Sequence, residues 1–171
     1  MKISNISFLL LSMGFALPTF AQSIPKNAQM DIEFNIPKVE ASSYTRPYVA
    51  VWIEDKQGNP VRTLQLWVGE DEWLKDLRSW WRKVGRNDRS VIDAVTSATK
   101  PVGQYHFTWD GLDQKGQPME QGDYTFFAEV VREHGGRNIV RQKITLADES
   151  FNITIKPTVE TGLIALHYKN N

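Results

Sequence analysis

The stretch Asp93-Ala94-Val95-Thr96-Ser97-Ala98-Thr99 sets three hydroxyl side chains and two alanines behind one carboxylate, in a sequence otherwise rich in strand formers and tryptophan. The chemistry open to such a run is group transfer onto a hydroxyl. A threonine hydroxyl is a weak nucleophile at neutral pH and needs a neighbouring base or metal to attack a phosphoanhydride. A site modified by a separate enzyme must also be exposed, and small neighbours let that enzyme's cleft come close. The plainer alternative is a polar loop or short helix start, with Thr96 or Ser97 as a cap and Lys100-Pro101 as the exit.

Other residue groups carry weaker signals. Trp73, Trp80 and Trp81 suit the packing of a helix onto a sheet, and three indoles on one short helix also offer a face to a planar aromatic ligand. Arg82, Lys83, Arg86 and Arg89 precede the hydroxyl run closely. They read as a solvated helix end, or as cations for a phosphate, to which arginine's fork geometry is suited. Asp110, Asp113 and Asp123 do not have the spacing of a twelve-residue calcium loop and read as turn residues beside glycines. His106, His134 and His167 are scattered without metal-ligand spacing. Of these, His134 stands out, because Gly135 and Gly136 behind it would let backbone approach a ligand closely; the plainer reading is a hairpin turn with an exposed histidine. No G-x-S-x-G is present, and with no cysteine no nucleophile, base and acid set can be assembled for a hydrolase.

These residues must be positioned by a largely β framework. Met30 to Ile36 alternates apolar and polar strictly, which predicts a half-buried strand closed by Pro37. Tyr48 to Glu54 and Val61 to Trp67 predict a hairpin around the turn Asp55-Lys56-Gln57-Gly58-Asn59-Pro60. Trp73, Leu74, Leu77, Trp80, Trp81 and Val84 then fall on one stripe of a helix spanning Asp71 to Val84, with acids at its start and Arg82 and Lys83 at its end. A loop from Gly85 to Ser90 leads to the hydroxyl run. Further strands are predicted over Gln104 to Trp109, Tyr124 to Arg132, Asn138 to Leu146, Phe151 to Ile155 and Leu163 to Tyr168. Short strands with frequent turns predict a mainly all-β fold, an antiparallel β-sandwich.

The N-terminus has the plan of a secretory signal peptide: Lys2, an apolar stretch from Phe8 to Leu17, and Thr19-Phe20-Ala21 as a small-x-small cleavage site. Cleavage is expected after Ala21, with the mature protein in the periplasm. The apolar stretch is short for a bilayer span, so no membrane insertion of the mature chain is expected. Of 171 residues, 150 remain as residues 22–171, enough for one domain with a substantial core. Gln22 to Gln29 reads as a mobile polar leader. The mature chain has 19 basic and 20 acidic residues, a balance that argues against nucleic acid as a partner. Zero cysteines leave any redox role to a bound cofactor.

Two resemblances bear on function. The run from Asp93 to Thr99 resembles the acceptor motif of extracytosolic flavoproteins, D-x-x-[ST]-[GS]-A-[ST], with Ser97 where glycine is commoner. That resemblance implies FMN joined covalently through a phosphodiester to Thr99 by a flavin transferase, with Asp93, Thr96, Ser97 and Ala98 as the surrounding motif. On that reading Trp80 or Trp81 lines the flavin, His134 hydrogen-bonds and tunes its ring, and one or two of the preceding cations face its phosphate. Separately, Tyr48 to Leu64, with Trp109-Asp110-Gly111, Asp113, Gly116 and Gly122-Asp123-Tyr124, is similar to the immunoglobulin-like domain of flagellar hook-assembly scaffolds. Residues 68–102 then form an insertion that carries both the tryptophan helix and the acceptor run. The whole arrangement, with Arg132-Glu133-His134-Gly135-Gly136, resembles a predicted periplasmic family, domain of unknown function 2271. Its genes sit beside flavin transferases and membrane reductases, which implies an exported electron carrier whose partners are a flavin transferase and a membrane-bound reductase or other extracytosolic redox protein. The alternative is a cofactor-free periplasmic binding or structural module of immunoglobulin-like fold that uses its tryptophans as a contact patch.

Overall fold

The computed structural model describes residues 22–40 and 44–170; the expected cleavage site after Ala21 lies outside them. Among the described residues nine strands form two sheets: β1 (Ala28–Ile36), β2 (Tyr48–Asp55), β3 (Pro60–Trp67), β4 (Thr96–Ser97), β5 (Gly103–Trp109), β6 (Gly122–Val131), β7 (Arg137–Leu146), β8 (Phe151–Ile155) and β9 (Ile164–Asn170). One sheet runs β5-β1-β9-β8 and the other β4-β3-β2-β6-β7. All pairings are antiparallel except β3 with the short β4, which is parallel.

The sandwich core follows from alternation. Along β1, Ala28, Met30, Ile32, Phe34 and Ile36 are buried while the residues between them face outward. They meet Val49, Val51 and Ile53 of β2 and Phe126, Ala128 and Val130 of β6 across the sheet interface. Each such large apolar side chain contributes about 1.5–3 kcal/mol on burial. β2 is buried on both faces. Its other set, Tyr48, Ala50 and Trp52, packs under residues 68–95, which form a helical layer over the outer face of the second sheet. Trp52 is stacked on Phe127 with ring centroids 4.8 Å apart, and its indole nitrogen donates to the Glu54 carboxylate at 2.9 Å.

The segment between β3 and β4 departs from a single helix. It is a 3₁₀ turn (Asp71–Asp76), then α1 (Arg78–Trp80) running into a π turn (Trp81–Gly85), then α2 (Arg89–Val95). The break falls at Leu77, whose ψ of 63° leaves the helical region. Just beyond it the carboxylate of Glu129 on β6 accepts from the Ser79 and Trp80 amides at 2.9–3.1 Å, so a new helix starts there, capped from the sheet. α2 was expected to be loop at its start. Asp88 caps it by accepting from the Val91 amide.

Gly85 is required by the two adjacent indoles. A Cβ there would lie 2.5 Å from Trp81 Cε3 and 2.7 Å from Trp80 Cζ3, and Trp80 is fully buried. Overpacking of this kind costs about 1–3 kcal/mol, and alanine's better helix propensity returns at most about 1 kcal/mol. Gly85→Ala should therefore lower the urea midpoint while leaving the strand signal in far-ultraviolet circular dichroism unchanged.

The leader is docked, contrary to the expectation of a mobile segment. Ile24 is buried, its amide donates to the Met119 carbonyl, and Ser23 bridges Glu120. Gly111, at φ 73°, makes room: a Cβ on it would meet Ile24 Cδ1 at 2.5 Å.

Candidate functional site

The hydroxyl run folds as helix, strand and loop in seven residues. Asp93, Ala94 and Val95 form the last turn of α2. Thr96 is its C-cap, extended at φ −66° and ψ 133°, with both its amide and its side-chain hydroxyl donating to the Ile92 carbonyl, the latter at 2.6 Å. Thr96 and Ser97 pair with Leu66 and Trp67 as β4, and the Ser97 carbonyl accepts from the Val68 amide at 2.9 Å. Ala98 and Thr99 then leave the sheet edge for the connection that crosses to β5 in the other sheet. Ala98 is exposed and Thr99 half-buried. Among the described residues the Thr99 hydroxyl has no hydrogen-bond partner.

The three hydroxyls are thus unlike. Thr96 is spent on the helix end and Ser97 is held in a strand. The Thr99 hydroxyl is uncommitted, and among the described residues no base is hydrogen-bonded to it, so any activation must come from another molecule. The half-buried Lys100 follows it directly.

The remaining sequence-derived residues are dispersed. Asp93 is exposed and engaged by Arg89 at 3.0 Å. Arg89 also pairs with Asp71, and those two acids, Asp71 foremost, raise its pKa. Lys83 bonds the Glu54 carboxylate and the Gly58 carbonyl, at the opposite end of β2 from Tyr48, so it serves the β2–β3 turn. Trp80 has no exposed surface. Its indole nitrogen donates to Thr63 Oγ1 at 3.1 Å beneath the helical layer, which leaves no face for a ring stacked from outside. Trp81 is half-buried on the π turn, and Trp73 stacks on Tyr48.

His134 lies in the β6–β7 hairpin at φ 54°, with its side chain 82% exposed and 3.6 Å from Glu133. The hairpin is at the same end of the sandwich as Thr99, with β3 and β2 lying between β4 and β6. Gly135 and Gly136 have an internal reason. A Cβ on Gly135 would strike the Arg132 guanidinium at 2.5 Å, and one on Gly136 the Glu160 carboxylate at 2.4 Å. Arg132 and Glu160 form a buried bidentate pair, both bonds 3.0 Å, and Glu160 also accepts from the Gly136 amide. The Glu160 carboxylate raises the Arg132 pKa further. Asp110 and Asp113 accept backbone amides within their turns.

Sequence reasoning missed what shares the Thr99 end of the molecule. Among the described residues the exposed large apolar side chains are Tyr44, Val102, Val159 and Leu163. Tyr44 lies between β1 and β2, Val102 between β4 and β5, and Val159 and Leu163 between β8 and β9. All three connections leave the sheets at this one end. Tyr105 closes the core beneath them, with its ring 5.1 Å from Trp67 and its hydroxyl donating to the Pro101 carbonyl at 2.7 Å.

Comparison with known proteins gives one match. A family described as predicted periplasmic protein, domain of unknown function 2271, matches residues 29–163, which take in all of the second sheet and the helical segment between β3 and β4, and the first sheet as far as the residue before β9. No curated protein and no solved structure matches the chain. No helix among the described residues is long and apolar enough to cross a membrane.

Proposed function

The chain belongs to this family of predicted periplasmic proteins, and from that premise we propose that it is an exported flavoprotein electron carrier with FMN joined covalently to Thr99. The observation that carries the reading is the state of the Thr99 hydroxyl, without a hydrogen-bond partner and half-buried on a loop just past the sheet edge, while the Thr96 hydroxyl is committed to Ile92. A transferase can reach Thr99 without unfolding the sandwich. The bond that forms joins Thr99 Oγ to the FMN phosphorus. The bond that breaks is the phosphoanhydride of a flavin dinucleotide, AMP leaves, and the hydroxyl proton passes to a base of the transferase.

Export by a signal peptide cleaved after Ala21 completes the scheme, since covalent attachment matters most where a lost cofactor is not replaced. The flavin, when bound, supplies one- or two-electron chemistry that a chain without cysteine does not offer by itself. The protein's residues anchor and shield it. Thr99 holds the phosphodiester, Lys100 is the nearest cation in sequence to its charge, and the likeness to hook-scaffold immunoglobulin-like domains describes the rigid frame. The partners on this reading are a flavin transferase and a membrane-bound reductase or other extracytosolic redox protein.

The test is the intact mass and visible absorbance of the protein exported alongside a flavin transferase. Wild type should gain one FMN unit and a yellow spectrum. Thr99→Ala should gain neither while keeping its stability to within about 0.5 kcal/mol, as a surface substitution does. Flavin retained by Thr99→Ala would sink the assignment, and a colourless, unmodified wild type would favour the cofactor-free binding module.

A further inference from the structure

We propose that the isoalloxazine ring of a flavin tethered at Thr99 rests on an apolar seat formed by Tyr44, Val102 and Leu163 over Tyr105, at the same pole of the sandwich. This rests on the attachment reading above and adds the surface the ring occupies.

Exposed apolar side chains scattered singly need no explanation, but a group gathered at one place marks a contact surface. Here Tyr44, Val102, Val159 and Leu163 all lie on connections at the pole that carries Thr99. Their positions follow from the register. Val102 precedes Gly103, the partner of Ile36, and the Leu163 carbonyl accepts from the Asn35 amide at 3.2 Å. Val102 and Leu163 therefore flank the end of β1 on either side. Tyr44 belongs to the connection that leaves from that same end. It is close enough to Tyr105, Arg132 and Glu160 for their charges to act on its phenol, whose pKa burial chiefly raises.

The floor of this seat is rigid. Tyr105 is braced by Trp67 and tied to the acceptor loop through Pro101. The Arg132–Glu160 pair beside Tyr44 is buried and bidentate. A planar ring held by a short polyol chain needs an apolar or aromatic surface next to its anchor, and tyrosine supplies one at low entropic cost. The alternatives are worse placed. Trp80 is sealed in the core, and His134 projects into solvent beyond two intervening strands.

The test uses flavin-loaded protein from transferase co-expression, with loading checked by intact mass. Tyrosine in contact with an excited isoalloxazine transfers an electron to it that returns at once, so a seated ring is dim. It is also immobile. The wild type should show flavin fluorescence well below that of free FMN, with high anisotropy. Tyr44→Ala and, independently, Leu163→Ser should raise the emission several-fold and lower the anisotropy at unchanged loading. Tyr44→Phe should brighten the ring without freeing it. A loaded wild type as bright and as freely rotating as free FMN, or variants indistinguishable from it, would overturn the seat and leave attachment standing. Absence of any FMN mass gain would overturn attachment, and the seat with it.

Discussion

Replacement of Glu129 by alanine is expected to cost about 3 kcal/mol of folding stability, the lower end of what breaking a buried ion pair removes. The carboxylate is fully buried, accepts the Ser79 and Trp80 amides, and binds Arg137 at 2.6 and 2.8 Å. Its loss strands two amides at a helix start beneath the surface. It also leaves Arg137, about a third of whose side chain is exposed, free to turn to water, which is why the cost stays at the lower end. For a domain of this size the shift should be on the order of 10 °C in Tm. Glu129→Gln keeps one acceptor oxygen and should recover part of the loss. Thermal unfolding followed in parallel by tryptophan fluorescence and strand circular dichroism checks this. A change under about 1 kcal/mol for the alanine variant would mean that the insertion is held by its apolar face without the carboxylate.

The second large effect is expected at Arg132 and Glu160. Their side chains are only 7% and 2% exposed, and each removal leaves the other charge buried and unpaired. Arg132→Met or Glu160→Met by itself should cost roughly 3–5 kcal/mol, whereas the double replacement should cost clearly less than either single one. A double-mutant cycle in urea reads this directly. Additive losses would show that the two side chains act independently. The pair also braces the pole that carries Thr99, so on the proposed reading the single variants should loosen a ring seated there.

Much of the framework was legible in the sequence because alternation and turn chemistry are local. The predicted strand from Met30 to Ile36 sits inside β1, and Asp55-Lys56-Gln57-Gly58-Asn59-Pro60 makes the β2–β3 turn, with Gly58 at φ 83°. The helical segment after β3 is legible in the apolar stripe from Trp73 to Val84, but the stripe draws it too simply. Its break at Leu77 depends on a carboxylate 50 residues away in sequence, which no local pattern reveals. Glu129 itself looks like an outward strand position. It becomes buried only because a second layer covers that face, and the near-continuous apolar run Tyr48-Val49-Ala50-Val51-Trp52-Ile53 was the available sign that β2 is covered on both sides. The glycines after His134 suggest room for a ligand, but what they make room for is an internal ion pair, Arg132 with Glu160, which no local pattern pairs. Thr99 was legible as a motif residue. The apolar side chains around it were not, because they come from three separate connections that only the folded chain brings together.

The parallel pairing of Thr96 and Ser97 with Leu66 and Trp67 has a further consequence, for solubility. Without it, that stretch of β3 would be a bare sheet edge, the kind of surface on which a second copy adds a strand and aggregation begins. Elsewhere along β3, Gln114 guards the edge by donating its amide to the Val61 carbonyl and accepting from the Thr63 amide. The segment that leads into the proposed attachment residue is therefore also part of the molecule's protection against self-association. Because Thr99 stands two residues beyond the end of that pairing, the attachment proposed there would leave the edge shut.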